Sequence, residues 1–396
     1  MLRVLAGLSG LLAVICQVGV ATAGAPAQPL PAPLPSERLT VEKLATSSPH
    51  WGYVVDEAFQ NEIDSRVLLF DGDSGRRLGQ IGAGFYPGVI LSPDGKTTAV
   101  ATSYFARGTR GERTDLVEFT DNATLEVTGE IVLPPKRALT LPTIFNVAYS
   151  SDSHFVYVAY ITPAASFGVL DPVNKRVLGE IDTAGCVLVI PWGPHQVSSL
   201  CESGRLLTVQ IDAQGGEASR ALSEPFFNPD TDPVFVQGIP TGGGYEFLSF
   251  LGQVHAVSFA SGPPAAAPAW SIVSPAERGH WRPGGVQVAA LHRALHRLYV
   301  PMHQGGEGSH KEGGTEIWVL DNDSHARLAR WRVPAKRLGG VIAVSVTQDS
   351  HPLVFAATEL ANVLVYDGLT GELRHVEKQL GQTPWVILSP DVPDAR

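Results

Sequence analysis

Four of the chain's twelve histidines fall within one short segment, "LHRALHRLYVPMHQGGEGSHKEGGTEIWVLD" at residues 291–321. They are His292, His296, His303 and His310. His292 and His296 have the i, i+4 spacing with which a helix presents two imidazoles to one zinc ion. Whether the side chains can meet depends on the elements that carry them.

A repeated pattern along the chain identifies those elements. Each copy is a short alternating strand, an Asp or its equivalent, a turn and a second strand, and each follows another turn and strand. The copies begin at Arg66, Leu116, Ser166, Leu206, Val254, Glu316 and Val363. Seven pairs of hairpins suit a propeller, because each blade is four antiparallel strands that cannot bury their faces alone. The sequence therefore predicts an all-β fold, a seven-bladed β-propeller over residues 41–396.

Composition favours the same fold class. The chain has 41 Gly, 30 Pro, 44% hydrophobic and 17% charged residues, which is typical of many short strands and turns. Two other architectures are less consistent with the repeat. Two stacked β-sandwiches would also have many strands, but they would not repeat the same pattern seven times in a single series. An eight-bladed quinone-binding propeller would need an eighth copy of the pattern. The repeated Asp residues are predicted to bond the backbone of the turn that follows each strand. These are Asp71, Asp121, Asp171, Asp321 and Asp367.

In this repeat the histidine segment is a turn, a strand, a loop and the next strand. His292 and His296 flank the turn that enters the strand "RLYV", so they do not converge. His303 and His310 are separated by the flexible "QGGEGS". We expect exposed or hydrogen-bonded histidines here and no metal site. Two irregular loops, 104–115 and 275–285, are predicted binding surfaces and are our sequence-based choice for contact with a partner.

The N-terminus reads as an export signal. Residues 1–23 carry one Arg, an apolar core and Ala21-Thr22-Ala23 as a cleavage site, which predicts a signal peptide rather than a membrane anchor. Residues 24–40 form a Pro/Ala-rich arm. An exported chain lies in an oxidising compartment, so we predict a disulfide between Cys186 and Cys201 rather than two buried thiols.

The sequence offers no catalytic machinery of its own. A net charge of −10 argues against a nucleic-acid partner. There is no G-x-S-x-G nucleophile motif and no glycine-rich phosphate loop between a strand and a helix. Paired acids such as Asp56 and Glu57 are common in turns and carry no acid–base signature alone. We therefore expect no catalytic, cofactor-binding or metal-ligating residue, and a scaffold or partner subunit.

Several ordered motifs resemble the large (heavy, α) subunit of the quinoprotein amine dehydrogenases. They are "RGERTDLVEF", "LPPKR" at 133–137, "TPAASFGVLD", "AGC" with a second Cys 15 residues on, "WRPGG" at 281–285, "LHRALHRLYV" and "GSHKEGGTEIWVLD". The resemblance covers about residues 45–390. The "LPPKR" and "MHQGGEGSHKEGGTEIWVLD" segments look more like the aromatic (aralkylamine) branch than the methylamine branch.

The resemblance implies a division of labour within a periplasmic complex. Large subunits of this family are seven-bladed propellers, and the tryptophan tryptophylquinone cofactor and catalytic base belong to a small, disulfide-rich subunit. Two large and two small chains form an α2β2 complex. It oxidises a primary amine to an aldehyde and ammonia and passes electrons to a blue-copper protein of the amicyanin or azurin kind. The seven tryptophans of this chain are expected to be structural.

One residue role is implied by the same resemblance. In the family a Phe that follows the first-blade strand and its Asp lines the substrate channel, and "YVVDEAFQNEIDSRV" puts it at Phe59. Phe59 is either this channel residue or a rim residue that only packs in the subunit interface. The acidic neighbours Asp56, Glu57, Glu62 and Asp64 either attract an ammonium substrate or form a solvated turn. The alternative function is a stand-alone secreted propeller that binds a ligand or acts as a lactonase-like hydrolase.

Overall fold

The regular secondary structure is almost entirely β-strand. The structure is a computed structural model and describes residues 43–44, 47–259 and 263–391. The helical segments of that part are a 3₁₀ turn, Glu62–Asp64, and α1, Ala335–Leu338, and neither is long and apolar enough to cross a membrane. The all-β prediction is confirmed. The predicted signal peptide 1–23 and arm 24–40 lie outside the described residues.

The first sheet contains a long bent strand. In chain order its strands are β1 (Trp51–Asp56), β2 (Ser65–Asp71), β3 (Arg77–Leu91), β4 (Thr97–Phe105), β5 (Arg113–Asp121) and β6 (Val127–Leu133). Residues 77–84 of β3 pair with β2, and residues 85–91 pair with β4. Between the two ladders Gly84 and Tyr86 have φ values of 65° and 44°. The bent strand therefore joins two hairpin groups that the repeat pattern separates.

The remaining sheets are antiparallel groups that follow one another along the chain. The second contains β7 (Val147–Tyr149), β8 (Val156–Tyr160), β9 (Ser166–Asp171) and β10 (Arg176–Asp182); the third contains β11 (Cys186–Trp192), β12 (Gln196–Cys201), β13 (Leu206–Ile211) and β14 (Glu217–Leu222). The fourth contains β15 (Ile239–Pro240), β16 (Gly244–Leu248), β17 (Gln253–Ser258), β18 (Ala265–Ala266) and β19 (Trp270–Ser271). The fifth contains β20 (Trp281–Pro283), β21 (Ala290–His292), β22 (Arg297–Gln304), β23 (Glu316–Asp321) and β24 (Arg327–Arg332); the sixth contains β25 (Val341–Val346), β26 (Leu353–Thr358), β27 (Val363–Asp367) and β28 (Leu373–Glu377).

The last strand returns to the first sheet. β29 (Pro384–Leu388) pairs antiparallel with β1, where Val55 faces Val386 and Asp56 faces Pro384. The core lies in layers between successive sheets, as expected when each sheet buries its faces against its neighbours. One such layer joins Val54 and Phe70 of the first sheet to Phe355 of the sixth. The two ends of the described chain are thus packed together.

The predicted Asx turns are confirmed. In each case Oδ1 of the strand-ending Asp accepts backbone N–H groups two or three residues later. The donors are Asp73 to Asp71, Ala123 and Thr124 to Asp121, Val173 and Asn174 to Asp171, Asp323 and Ser324 to Asp321, and Leu369 and Thr370 to Asp367. These bonds satisfy turn backbone that the strands leave unpaired.

Candidate functional site: an apolar cavity where the sheets converge

An apolar cavity of about 660 Å³ lies where segments from all six sheets converge. Apolar side chains dominate its wall: Phe59, Leu141, Pro142, Ile161, Val187, Val236, Phe250, Ile342 and Trp385. Four of them are large side chains between 41% and 49% exposed, namely Leu141, Ile161, Val187 and Val236. Contiguous exposed apolar surface of this kind marks a ligand or partner site.

Phe59 lies on the wall of this cavity, in the segment between β1 and the 3₁₀ turn. Its ring meets the Trp385 ring edge-to-face, with 4.9 Å between centroids and 74° between planes. This geometry is favourable for aromatic pairs. The residue is half-buried. Phe59 is therefore part of an aromatic pair on the apolar wall of the cavity.

The acidic residues around Phe59 do not face the cavity as a group. Asp56 and Glu57 are 0% and 1% exposed, and neither belongs to the cavity wall. The Glu62 carboxylate accepts a hydrogen bond from the Tyr86 hydroxyl at 3.0 Å, and Asp64 pairs with the Arg66 guanidinium. Both sequence-based interpretations of Asp56 and Glu57 are wrong, because these two carboxyl groups are neither solvated nor presented to a substrate.

Glu57 and Arg137 are buried charged groups of the same region. Burial raises the pKa of the Glu57 carboxyl well above its ordinary value, and the charge of Arg137 opposes that shift. Burial also lowers the pKa of Arg137 to about 10, so its guanidinium stays charged at neutral pH. This guanidinium donates to the backbone oxygens of Phe85 and Tyr86 at 2.8 and 2.6 Å. It thereby holds the bend of β3.

Two further contacts fix Arg137. Its side chain donates to the Ser103 hydroxyl at 2.8 Å, and its backbone N–H donates to Oδ2 of Asp115 at 3.0 Å. Arg113 pairs with the same carboxylate. Sequence reasoning used Arg137 only as part of the "LPPKR" resemblance and missed this network. Lys136 and Arg137 follow two prolines, a pattern that is typical of an exposed loop. Nothing in this pattern indicates that the Arg137 side chain is buried.

The charged side chains and the imidazole of the cavity wall come from the glycine-rich loop between β22 and β23 and from the segment after β26. His310 stacks on Phe250 with 4.0 Å between centroids and 11° between planes, and burial together with Lys311 lowers the pKa of His310. The Glu359 carboxylate accepts the backbone N–H groups of Gly313 and Gly340 at 3.0 and 3.2 Å. The Glu359 carboxylate is therefore hydrogen-bonded to backbone N–H groups, and the His310 imidazole is neutral at pH 7.

The histidine segment is divided among strands and turns as the repeat predicted. Nε2 of His292 lies 2.9 Å from the Asp349 oxygen, and its Nδ1 accepts the Leu295 N–H at 3.0 Å. His296 lies in the turn with φ of 51° and contacts Asp323, while Nε2 of His303 lies 2.9 Å from the Ser309 hydroxyl. Among the described residues, no three His, Cys, Asp or Glu side chains are arranged to hold a metal ion.

Cys186 and Cys201 form a disulfide and face each other across β11 and β12. Cys186 also lies on the cavity wall. The loop prediction for 104–115 needs correction, because β4 and β5 continue as a paired hairpin as far as Phe105 and Arg113. Of the two predicted loops only Gly285 reaches the cavity.

These features define an all-β protein whose distinctive surface is a large apolar cavity with an exposed apolar wall. A family model described as methylamine dehydrogenase heavy chain (MADH) matches residues 50–391. The chain belongs to this family, which confirms the resemblance to large subunits of amine dehydrogenases.

Individual relatives agree with this assignment, and solved structures share the fold. The methylamine dehydrogenase heavy chain of Paracoccus versutus is 29% identical over 86% of this chain and 79% of its own length. That of Methylorubrum extorquens is 26% identical over 94% and 90%. Two solved structures share the fold alone. Hydrazine synthase of Kuenenia stuttgartiensis is 14% identical, with a TM-score of 0.53, and the match covers 83% of this chain and 95% of that one. A putative 6-phosphogluconolactonase of Bacteroides fragilis is 12% identical, with a TM-score of 0.54, and the match covers 85% of this chain and 97% of that one.

Proposed function

We propose that this chain is the non-catalytic large subunit of a periplasmic amine dehydrogenase that oxidises primary amines to aldehydes and ammonia. The observation that carries the proposal is the exposed apolar wall of the cavity in a member of the heavy chain family. Such a wall is what a second protein chain covers. The partner is a small subunit in an α2β2 complex, and electrons leave through a blue-copper protein.

The proposed architecture is a seven-bladed β-propeller. The bent strand β3 divides the first sheet into two hairpin groups, so that six sheets yield seven repeat units. The pairing of β29 with β1 and the core layer between the first and sixth sheets support closure into a ring. In this arrangement the cavity lies at the mouth of the central channel.

The tryptophan tryptophylquinone is proposed to belong to the small subunit, where it accepts electrons from the amine. The residues of this chain do not fit that group. Trp281 and Trp318 are 5.3 Å apart between ring centroids, but Trp318 is fully buried and Arg330 lies over both rings. Among the described residues Trp385 is the one tryptophan on the cavity wall, and its ring partner is Phe59, not a second tryptophan. We therefore propose that this chain carries no quinone.

Coexpression with a short cysteine-rich chain tests the assignment. The large chain alone is expected to be colourless and inactive, and the copurified complex to absorb in the visible range and to reduce a dye when a primary amine is added. A quinone spectrum from the isolated chain, or a stable monomer with lactonase activity, would contradict the proposal.

Surface variants test whether the apolar wall is the docking face. Leu141→Asp and Val236→Asp place a charge on the wall and should reduce recovery of the small subunit at least tenfold. Val173→Asp is the matched control, because Val173 is 80% exposed in the turn between β9 and β10, away from the cavity. Equal recovery with all three variants would show that the small subunit docks elsewhere.

A further inference from the structure

Trp385 lines the cavity next to Phe59, and a hydrogen bond holds its ring in place. Its indole Nε1–H donates to the Pro142 backbone oxygen at 2.9 Å, which fixes the plane of the ring. Pro142 and Trp385 are 243 positions apart, and both line the cavity. The ring therefore keeps one orientation without any partner subunit.

The backbone on both sides holds the two rings in contact. The Glu57 N–H donates to the Thr383 oxygen at 3.0 Å, and Oδ1 of Asp56 accepts the Thr383 N–H at 2.6 Å. Ala58, directly before Phe59, is fully buried and has φ of 44°, a left-handed conformation that costs an L-residue energy. The bonds between the two segments hold Phe59 next to the strand that carries Trp385, and the two rings are in contact.

The chemistry of the wall favours recognition of an apolar body. The Glu359 carboxylate is engaged with two backbone N–H groups, and Lys311 would repel an ammonium group. The wall near Trp385 consists of aromatic and aliphatic side chains, including Leu141 and Pro142.

We propose that Trp385 is a specificity-determining residue that acts together with Phe59. The two rings form one aromatic wall along which a primary amine with an aryl or other bulky apolar body packs on its way to the small subunit. This inference rests on the proposed function and narrows its substrate class. It assigns selection of the amine to this chain and the chemistry to its partner.

The test compares variants of the assembled complex with 2-phenylethylamine and methylamine as substrates. Trp385→Ala should lower the ratio of kcat/KM for 2-phenylethylamine to kcat/KM for methylamine about tenfold, the effect of losing one ring contact. Trp385→Phe keeps an aromatic ring but loses the bond to Pro142, so it should lower the ratio about threefold. Because the rings touch, Phe59→Ala combined with Trp385→Ala should lower the ratio by less than the product of the single effects.

Trp270→Ala is the matched control, because Trp270 stacks on His325, with 4.3 Å between centroids, and does not line the cavity. It should leave the ratio unchanged. If the Trp385 variants assemble, turn over amine and keep the wild-type ratio, the specificity role is refuted while the subunit assignment stands. If the wild-type chain itself forms no amine-oxidising complex, the proposed function fails instead. Trp385→Phe keeps the test informative if Trp385→Ala does not fold.

Discussion

Oδ1 of Asp56 lies 2.6 Å from the backbone nitrogen of Thr383, although 327 positions separate the two residues. The same oxygen accepts the Gln382 N–H at 2.9 Å, and Asp56 is fully buried. The other carboxylate oxygen lies 3.9 Å from Nε of Arg66. One side chain at the end of β1 therefore anchors the segment that enters β29, and with it the position of Trp385.

Replacing Asp56 should destabilise the fold. Asp56→Ala leaves the part-buried N–H groups of Gln382 and Thr383 without their acceptor, and we expect a loss of about 2–4 kcal/mol in the free energy of unfolding. Asp56→Asn keeps an acceptor oxygen and should lose about half as much. Urea unfolding followed by far-UV circular dichroism measures both variants. An Asp56→Ala loss below about 0.5 kcal/mol would show that the anchor is unimportant.

Replacing Arg137 should reduce the stability of the fold more than replacing the adjacent Lys136. Arg137→Met removes a buried guanidinium and leaves the Phe85 and Tyr86 carbonyl groups of the β3 bend and the Ser103 hydroxyl without this donor, so we expect a loss of about 3–5 kcal/mol. Lys136 pairs with Glu180 at the surface, and Lys136→Met should cost less than about 1 kcal/mol. Denaturant midpoints of the two variants provide the comparison. Similar midpoints would contradict the role given to the Arg137 network.

The strands and turns could be predicted from sequence because their signals are local. Alternating apolar residues and a strand-ending Asp specify each hairpin within about fifteen residues. In the structure Asp171 and Asp367 accept the turn N–H groups that the repeat predicts. The hairpin at 104–115 was missed because its glycine-rich tip reads as a loop, although Tyr104 pairs with Thr114 and Phe105 with Arg113 on either side of that tip.

The cavity could not be predicted in the same way. Its wall is assembled from single residues of many segments, and Leu141, Val187 and Val236 look like ordinary core residues in the sequence. The family resemblance identified Phe59 from the sequence. Trp385 could be placed on the cavity wall only from the structure, because the pairing of β29 with β1 brings it beside Phe59. The burial of Asp56 and Glu57 was also invisible, since a run of acidic residues reads as a solvated turn.

The disulfide should contribute measurably to stability. It closes a loop with a sequence separation of 15 residues, for which the chain-entropy model gives about 3 kcal/mol. The double variant Cys186→Ser, Cys201→Ser should lose about that amount in denaturant unfolding, and reductant should affect the wild type alone. Peptide mapping without reduction checks the pairing. Two free thiols in protein purified without reductant would contradict it.

His50 should make stability depend on pH in the alkaline range. Its Nδ1 lies 2.7 Å from the Asp73 carboxylate and its Nε2 lies 3.0 Å from the Asp349 carboxylate. Burial disfavours the charged imidazole, but these two hydrogen bonds outweigh burial and raise the pKa of His50 to about 9. His50 thus links the turn before β1 to turns of the first and sixth sheets.

The sign of the effect follows from the direction of the shift. The unfolded chain loses the His50 proton near pH 6.5 and the folded chain near pH 9, so the contribution is complete below pH 6.5 and disappears as the pH rises to 9. We expect a loss of about 1–3 kcal/mol over this window, since Asp73 is partly solvated. Guanidinium unfolding at pH 6, 7.5 and 9.5 measures it. His50→Gln should start lower at pH 6 and remain flat, and a parallel decline of both proteins would assign the pH dependence to other groups.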